Sequence, residues 1–133
     1  MIELFFLLLL GISQVHSTVS VKDTDLQAKI ETKMNCQKDP MNPLCWQEGE
    51  KAFKSNNFEV AKKIFEPRCA QDDFGPCHLL GVIYKKIYNK SGSEINKAKS
   101  IDYFSKACRI IKSKDSVACK DLHHMVSCKK NPC

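Results

Sequence analysis

The chain has 133 residues, of which 43% are hydrophobic and 27% charged, with 21 Lys and Arg against 15 Asp and Glu for a net charge of +6. That length allows a single domain beside a leader. The basic residues are dispersed, with no Arg-rich tract and no zinc-finger spacing, so the charge reads as a solvated surface and nucleic acid is not an expected partner.

The first expected element is a secretory leader. Leu4 to Ile12 is an apolar run of about nine residues, too short for a bilayer, which needs roughly 20. Val15 and Ser17 supply the small residues of a cleavage site, placing the cut after Ser17. The n-region is weak, with Glu3 and no Lys or Arg. Cleavage would leave residues 18–133 as one domain, more basic by one charge, with no later run able to span a membrane.

From there the pattern is helical. Leu26, Ile30 and Met34 sketch a first helix near 24–36, and Thr24 with Gln27 has capping-box spacing. A second helix is expected near 43–54, opened by Asn42-Pro43 as cap and first-turn proline. The third, near 57–69, carries Ala61, Ile64, Phe65 and Cys69 at i, i+3, i+4 and i+8 on one face. The fourth, near 76–88, starts at Gly75-Pro76 and holds Cys77, Leu80, Gly81 and Tyr84. Glycine there lowers helix propensity, and close approach of a neighbouring helix is the expected reason. Asn89 to Asn96 then breaks the pattern as a loop, and Asn89-Lys90-Ser91 forms a glycosylation sequon expected to stay bare. Tyr103, Phe104, Ala107, Cys108 and Ile111 mark a fifth helix near 97–111. Asp115 or Ser116 caps a sixth near 117–128.

All eight cysteines follow the leader: Cys36, Cys45, Cys69, Cys77, Cys108, Cys119, Cys128 and Cys133. An even number behind a leader implies disulfides and an oxidising compartment, secreted or periplasmic. The spacings C-x8-C, C-x7-C and C-x10-C are too wide for zinc ligand pairs, so no metal is expected.

Aligned on their cysteines, three segments repeat with a period of 32 to 42 residues. Ala28, Ala61 and Ser100 each stand eight positions before Cys36, Cys69 and Cys108. Glu48-Gly49, Leu80-Gly81 and Leu122-His123 stand three and four after Cys45, Cys77 and Cys119. Ala52, Tyr84 and Val126 stand seven after. That period belongs to helical-repeat arrays. Each cysteine pair would bracket a turn between antiparallel helices, where two Cβ atoms come within bridging range. The expected bridges are Cys36–Cys45, Cys69–Cys77 and Cys108–Cys119, with Cys128 and Cys133 left to close the tail.

The segments Cys77-His-Leu-Leu-Gly-Val-Ile-Tyr84 and Ile101-Asp-Tyr-Phe-Ser-Lys-Ala-Cys108 resemble the Sel1-like repeat family, relatives of the tetratricopeptide repeats. Cys69 and Cys77 running into Leu-Gly-x-x-Tyr look like the Helicobacter cysteine-rich proteins. The resemblance covers Asp25 to Cys128. It departs at Glu48, where Leu is usual, at His123, where Gly is usual, and at Cys119, three residues further from Cys108 than the motif wants. It implies an all-α fold, an α/α superhelical solenoid of disulfide-stapled hairpins. It also implies a class described as penicillin-binding with weak β-lactamase activity, or as adaptor scaffolds. By analogy with tetratricopeptide geometry, a concave face would carry Trp46, Glu50, Lys54, His78, Val82, Lys85, Lys86, Lys120 and His124. Such a basic face with an aromatic anchor suits a peptide or cell-wall-derived ligand; a β-lactam is the alternative that the resemblance offers.

No catalytic motif supports the lactamase reading. Only Ser127 has Lys three residues on, at Lys130, and neither Ser-Asp-Asn nor Lys-Thr-Gly, the other serine-lactamase motifs, occurs anywhere in the chain. His123 and His124, adjacent on a helix, point about 100° apart and cannot share a metal. A binding scaffold without cofactor, monomeric, is the expectation drawn from the residues themselves.

Overall fold

A computed structural model describes Cys36 and residues 38–133, which lie in the compact unit Glu31–Cys133. The leader and the helix near 24–36, apart from Cys36, fall outside the described residues. Five α-helices follow: α1 (Pro43–Lys54), α2 (Phe58–Ala70), α3 (Phe74–Ser91), α4 (Glu94–Ile111) and α5 (Val117–Ser127). Each packs chiefly on the next in sequence. The described residues contain no strand, and no helix among them is long and apolar enough to cross a membrane.

Local chemistry accounts for the helix ends. Asn42 caps α1, its side-chain oxygen accepting from Leu44 N–H at 3.0 Å, and Pro43 occupies the first position, where no N–H is needed. Ser116 caps α5 by accepting from Cys119 N–H at 3.3 Å. The helix expected from Pro76 begins two residues earlier, at Phe74, with Asp73 as its cap. Pro76 stays within the first turn, where its missing N–H costs nothing.

The loop expected over Asn89 to Asn96 is a correction. α3 continues through Ser91 and α4 begins at Glu94, so only Gly92 and Ser93 lie outside helix. Gly92 takes the left-handed conformation, φ 67°, and its N–H closes on the Tyr88 carbonyl at 2.7 Å. One glycine at the helix end suffices for the reversal, and the polar run before it continues the helix. The Asn89 sequon is therefore helical, and its side-chain oxygen accepts from Cys133 N–H at 2.8 Å.

Four cysteine pairs stand at disulfide distance, in sequence order: Cys36–Cys45, Cys69–Cys77, Cys108–Cys119 and Cys128–Cys133. Their Cα atoms lie 5.4, 4.7, 4.7 and 5.9 Å apart. The second and third join the end of one helix to the start of the next. The fourth closes the six-residue tail after α5. Eight paired cysteines suit an oxidising compartment.

The core repeats one contact. Phe65 of α2 presses on Gly49 of α1, and Phe104 of α4 presses on Gly81 of α3. A Cβ built on Gly81 would lie 2.5 Å from Phe104 Cδ1, so only glycine admits the ring. Close approach is thus the reason for the helical glycines. Beside the second seam, Ser100 donates its hydroxyl hydrogen to the Gly81 carbonyl at 2.9 Å, which satisfies a fully buried polar group. At the third copy of the seam His123 replaces glycine, and no helix after α5 presses on it among the described residues. His123 and Val126 are correspondingly exposed.

Arg68 ties two stapled turns together. Its Nε and Nη2 donate to Asp73 Oδ2 at 2.9 and 2.7 Å, and its Nη1 donates to the Pro40 and Asn42 carbonyls at 3.2 and 3.3 Å. The residue is 8% exposed. Arg68→Ala leaves Asp73 and two carbonyls unmatched, an expected loss of about 3 kcal/mol in urea unfolding. Arg68→Lys should recover less than half, because an ammonium cannot fork to both turns.

Candidate functional site: the face of the odd-numbered helices

The odd-numbered helices touch one another directly, although even-numbered helices separate them in sequence. Trp46 of α1 reaches the start of α3, where a Cβ on Gly75 would stand 3.0 Å from its Cη2. The Trp46 ring also lies 5.7 Å from Phe65, with the Arg68 guanidinium 5.7 Å from its centroid. His78 of α3 reaches α5, its Nε2 2.8 Å from Asp121 Oδ2. Its ring stacks parallel to Phe74 at 6.0 Å and meets Phe104 at 5.5 Å. Trp46 and His78 each follow a cysteine by one residue, and both work as wedges that fill the seams between odd helices.

The nine residues proposed for a binding face therefore divide. Trp46 and His78 are half-buried in the seams. Val82 packs on the cluster of Tyr88, Phe104 and Met125. Lys86 lies over two rings, 5.0 Å from Phe53 and 5.8 Å from Phe58. His124 Nε2 sits 2.8 Å from the Cys133 carbonyl oxygen and helps hold the tail. Glu50, Lys54, Lys85 and Lys120 take part in none of the ion pairs among the described residues.

Two of those four meet in a cleft. An open cavity of about 550 Å³ runs along α1, lined by Gln47, Glu50, Lys51, Lys54 and Ser55. Positions 47, 50, 51 and 54 form one polar stripe at helical spacing, so Gln47 and Lys51 could have been read from the sequence with Glu50. Among the described residues the lining offers one carboxylate, two ammonium groups, an amide and a hydroxyl. Ser55 turns its hydroxyl to the Lys51 and Ala52 carbonyls at the helix end.

Away from this face, Tyr84 and Tyr103 stack at 5.6 Å, with Lys62 and Lys99 over the Tyr84 ring at 5.6 and 5.2 Å. Burial pushes the Tyr103 phenol up to about 12, with the Glu66 carboxylate adding to it. Burial also raises Tyr84, against the opposing charge of Lys62. Both phenols stay neutral near physiological pH and serve as packing. Every cysteine is bridged, so no thiol is free. Among the described residues no group of His, Cys, Asp or Glu gathers as a metal site. The chemistry this surface offers is hydrogen bonding and charge.

Compared with known proteins, the chain matches no family model, no curated protein and no solved structure.

Proposed function

We propose that the protein is an exported, disulfide-stapled scaffold of Sel1-like helix pairs, stacked as an α/α superhelical array, that binds a carboxylate-bearing peptide, free or within a cell-wall fragment, on its odd-helix face. The observation that carries this reading is the α1 cleft, in which Lys51 and Lys54 stand beside Glu50 and Gln47. Two cations suit carboxylates, and the carboxylate and amide accept or donate hydrogen bonds to a peptide backbone. The neighbouring odd helices extend the face with Lys85 and Lys120, and the wedges Trp46 and His78 hold the helices in place beneath a ligand. Rigid support of this kind lowers the ordering cost of binding.

The test is fluorescence anisotropy with a labelled oligo-glutamate peptide, with a soluble peptidoglycan fragment as competitor. The native protein should bind. Lys54→Glu with Lys120→Glu, both exposed positions, should weaken binding about tenfold, the equivalent of about 1.4 kcal/mol, without changing the circular dichroism spectrum. Equal binding by the doubly reversed variant, or none by the native protein, would remove this face from consideration.

A further inference from the structure

The two ends of the helix array differ. The Cys36–Cys45, Cys69–Cys77 and Cys108–Cys119 bridges lie at the end where α2 passes to α3 and α4 to α5. The opposite end carries the turn from α1 to α2, the close of α3, the start of α4, the close of α5 and the tail. Three contacts hold the tail there. Lys97 Nζ donates to the Cys128 carbonyl at 2.7 Å, Asn89 accepts from Cys133 N–H at 2.8 Å, and His124 meets the Cys133 carbonyl oxygen at 2.8 Å. The Cys128–Cys133 bridge closes the ring.

This arrangement brings together lysines far apart in sequence: Lys90, Lys97, Lys129 and Lys130. Lys90, Lys129 and Lys130 are exposed. None of the four enters an ion pair among the described residues, whereas Lys62, Arg68 and Lys106 pair with Glu59, Asp73 and Asp72. The close of α3, the start of α4, the close of α5 and the tail carry Glu94 as their one acidic side chain, with the Cys133 α-carboxylate as the other anionic group. The same segments carry the two most exposed large hydrophobic residues described, Ile95 at 70% and Val126 at 62%. Uncompensated cations beside exposed aliphatic side chains are what an anionic lipid surface attracts: the ammonium groups meet headgroup phosphates and the aliphatics enter the interface. A soluble acidic protein would match the lysines alone.

We propose that the tail end of the protein, presenting Lys90, Lys97, Lys129 and Lys130 with Ile95 and Val126, docks on anionic phospholipid surfaces. The docking surface shares none of its residues with the proposed binding face and does not depend on that face's ligand.

Vesicle co-sedimentation of the full oxidised chain tests it. Binding to phosphatidylcholine vesicles containing phosphatidylglycerol should exceed binding to pure phosphatidylcholine by about 30-fold, as two net charges near such a surface imply. Lys129→Glu with Lys130→Glu should bring binding down to the neutral-vesicle level. Lys112→Glu with Lys114→Glu changes the net charge equally at the opposite end and should leave most of the binding. Cys128→Ala with Cys133→Ala keeps every lysine but releases the tail, and should lose binding several-fold. Ile95→Ser with Val126→Ser should do likewise. Equal loss from the two lysine-reversed variants, or full binding by the tail-released one, would show net charge acting without this surface and overturn the proposal. Full binding by the serine variant would overturn the lipid assignment, as would failure of the native chain to prefer anionic vesicles.

Discussion

Replacing Cys69 and Cys77 together by alanine should lower the unfolding free energy by about 2.5–3 kcal/mol, the chain-entropy value for so short a loop. The bridge closes a sequence separation of 8 between the end of α2 and the start of α3. Both half-cystines are nearly inaccessible, at 2% and 0%, so the truncation also leaves a small void and the loss should fall at the upper end. The loss matters because the described core is thin: each helix rests chiefly on its sequence neighbours, and such arrays bury little apolar area per unit. If the four bridges contributed independently, they would total roughly 10 kcal/mol, comparable with the whole stability of a domain. Full reduction should therefore unfold the protein at room temperature. Urea titration followed by circular dichroism measures the single-bridge loss, and the far-ultraviolet signal in excess dithiothreitol measures the whole. Retained helicity and a cooperative transition in reductant would mean that packing alone carries the fold.

The second large effect lies at the seam between α3 and α4. Phe104 is fully buried, and its ring occupies the space a side chain at position 81 would need. Phe104→Ala should cost about 3–5 kcal/mol, as removal of a core aromatic generally does. Gly81→Ala should cost about 2 kcal/mol, because the new methyl drives the ring out of its place while helix propensity returns only part of that. The informative measurement is the double variant. With the ring gone, the methyl has room, and alanine is the better helix former by about 1 kcal/mol. Gly81→Ala should then change sign, becoming stabilising in the Phe104→Ala background. A double-mutant cycle by urea unfolding reads this as a coupling of more than 1 kcal/mol. Additive losses would mean that the glycine serves something other than the ring.

The expected helix ends and the observed ones agree where a local group decides them. Asn42-Pro43 starts α1 and Ser116 starts α5 because the capping oxygen and the amide it accepts are two or three residues apart. The glycine at position 81 was legible as a close-approach site because it interrupts an otherwise good helical face. Asn89 to Asn96 was misread because composition resembles a loop there, whereas a single left-handed Gly92 lets both helices run to the turn. The residues of the proposed binding face are legible as stripes on helices but not as free or occupied positions. Nothing near His78 announces Asp121, which is 43 residues away, and nothing near Trp46 announces the ring of Phe65 or the start of α3.

The sequence by itself determined that this is a helical, disulfide-paired chain, because helical periodicity, caps and closely spaced cysteines are all encoded within about a dozen residues. Only the tertiary structure decided which side chains are spent holding it together. Arg68 bridging two turns, Trp46 and His78 wedged between alternate helices, and the tail pinned by Asn89, Lys97 and His124 all depend on contacts between segments distant in sequence. Such contacts follow from how the helices stack, and each is one weak pairing among many that the same residues could make in another packing.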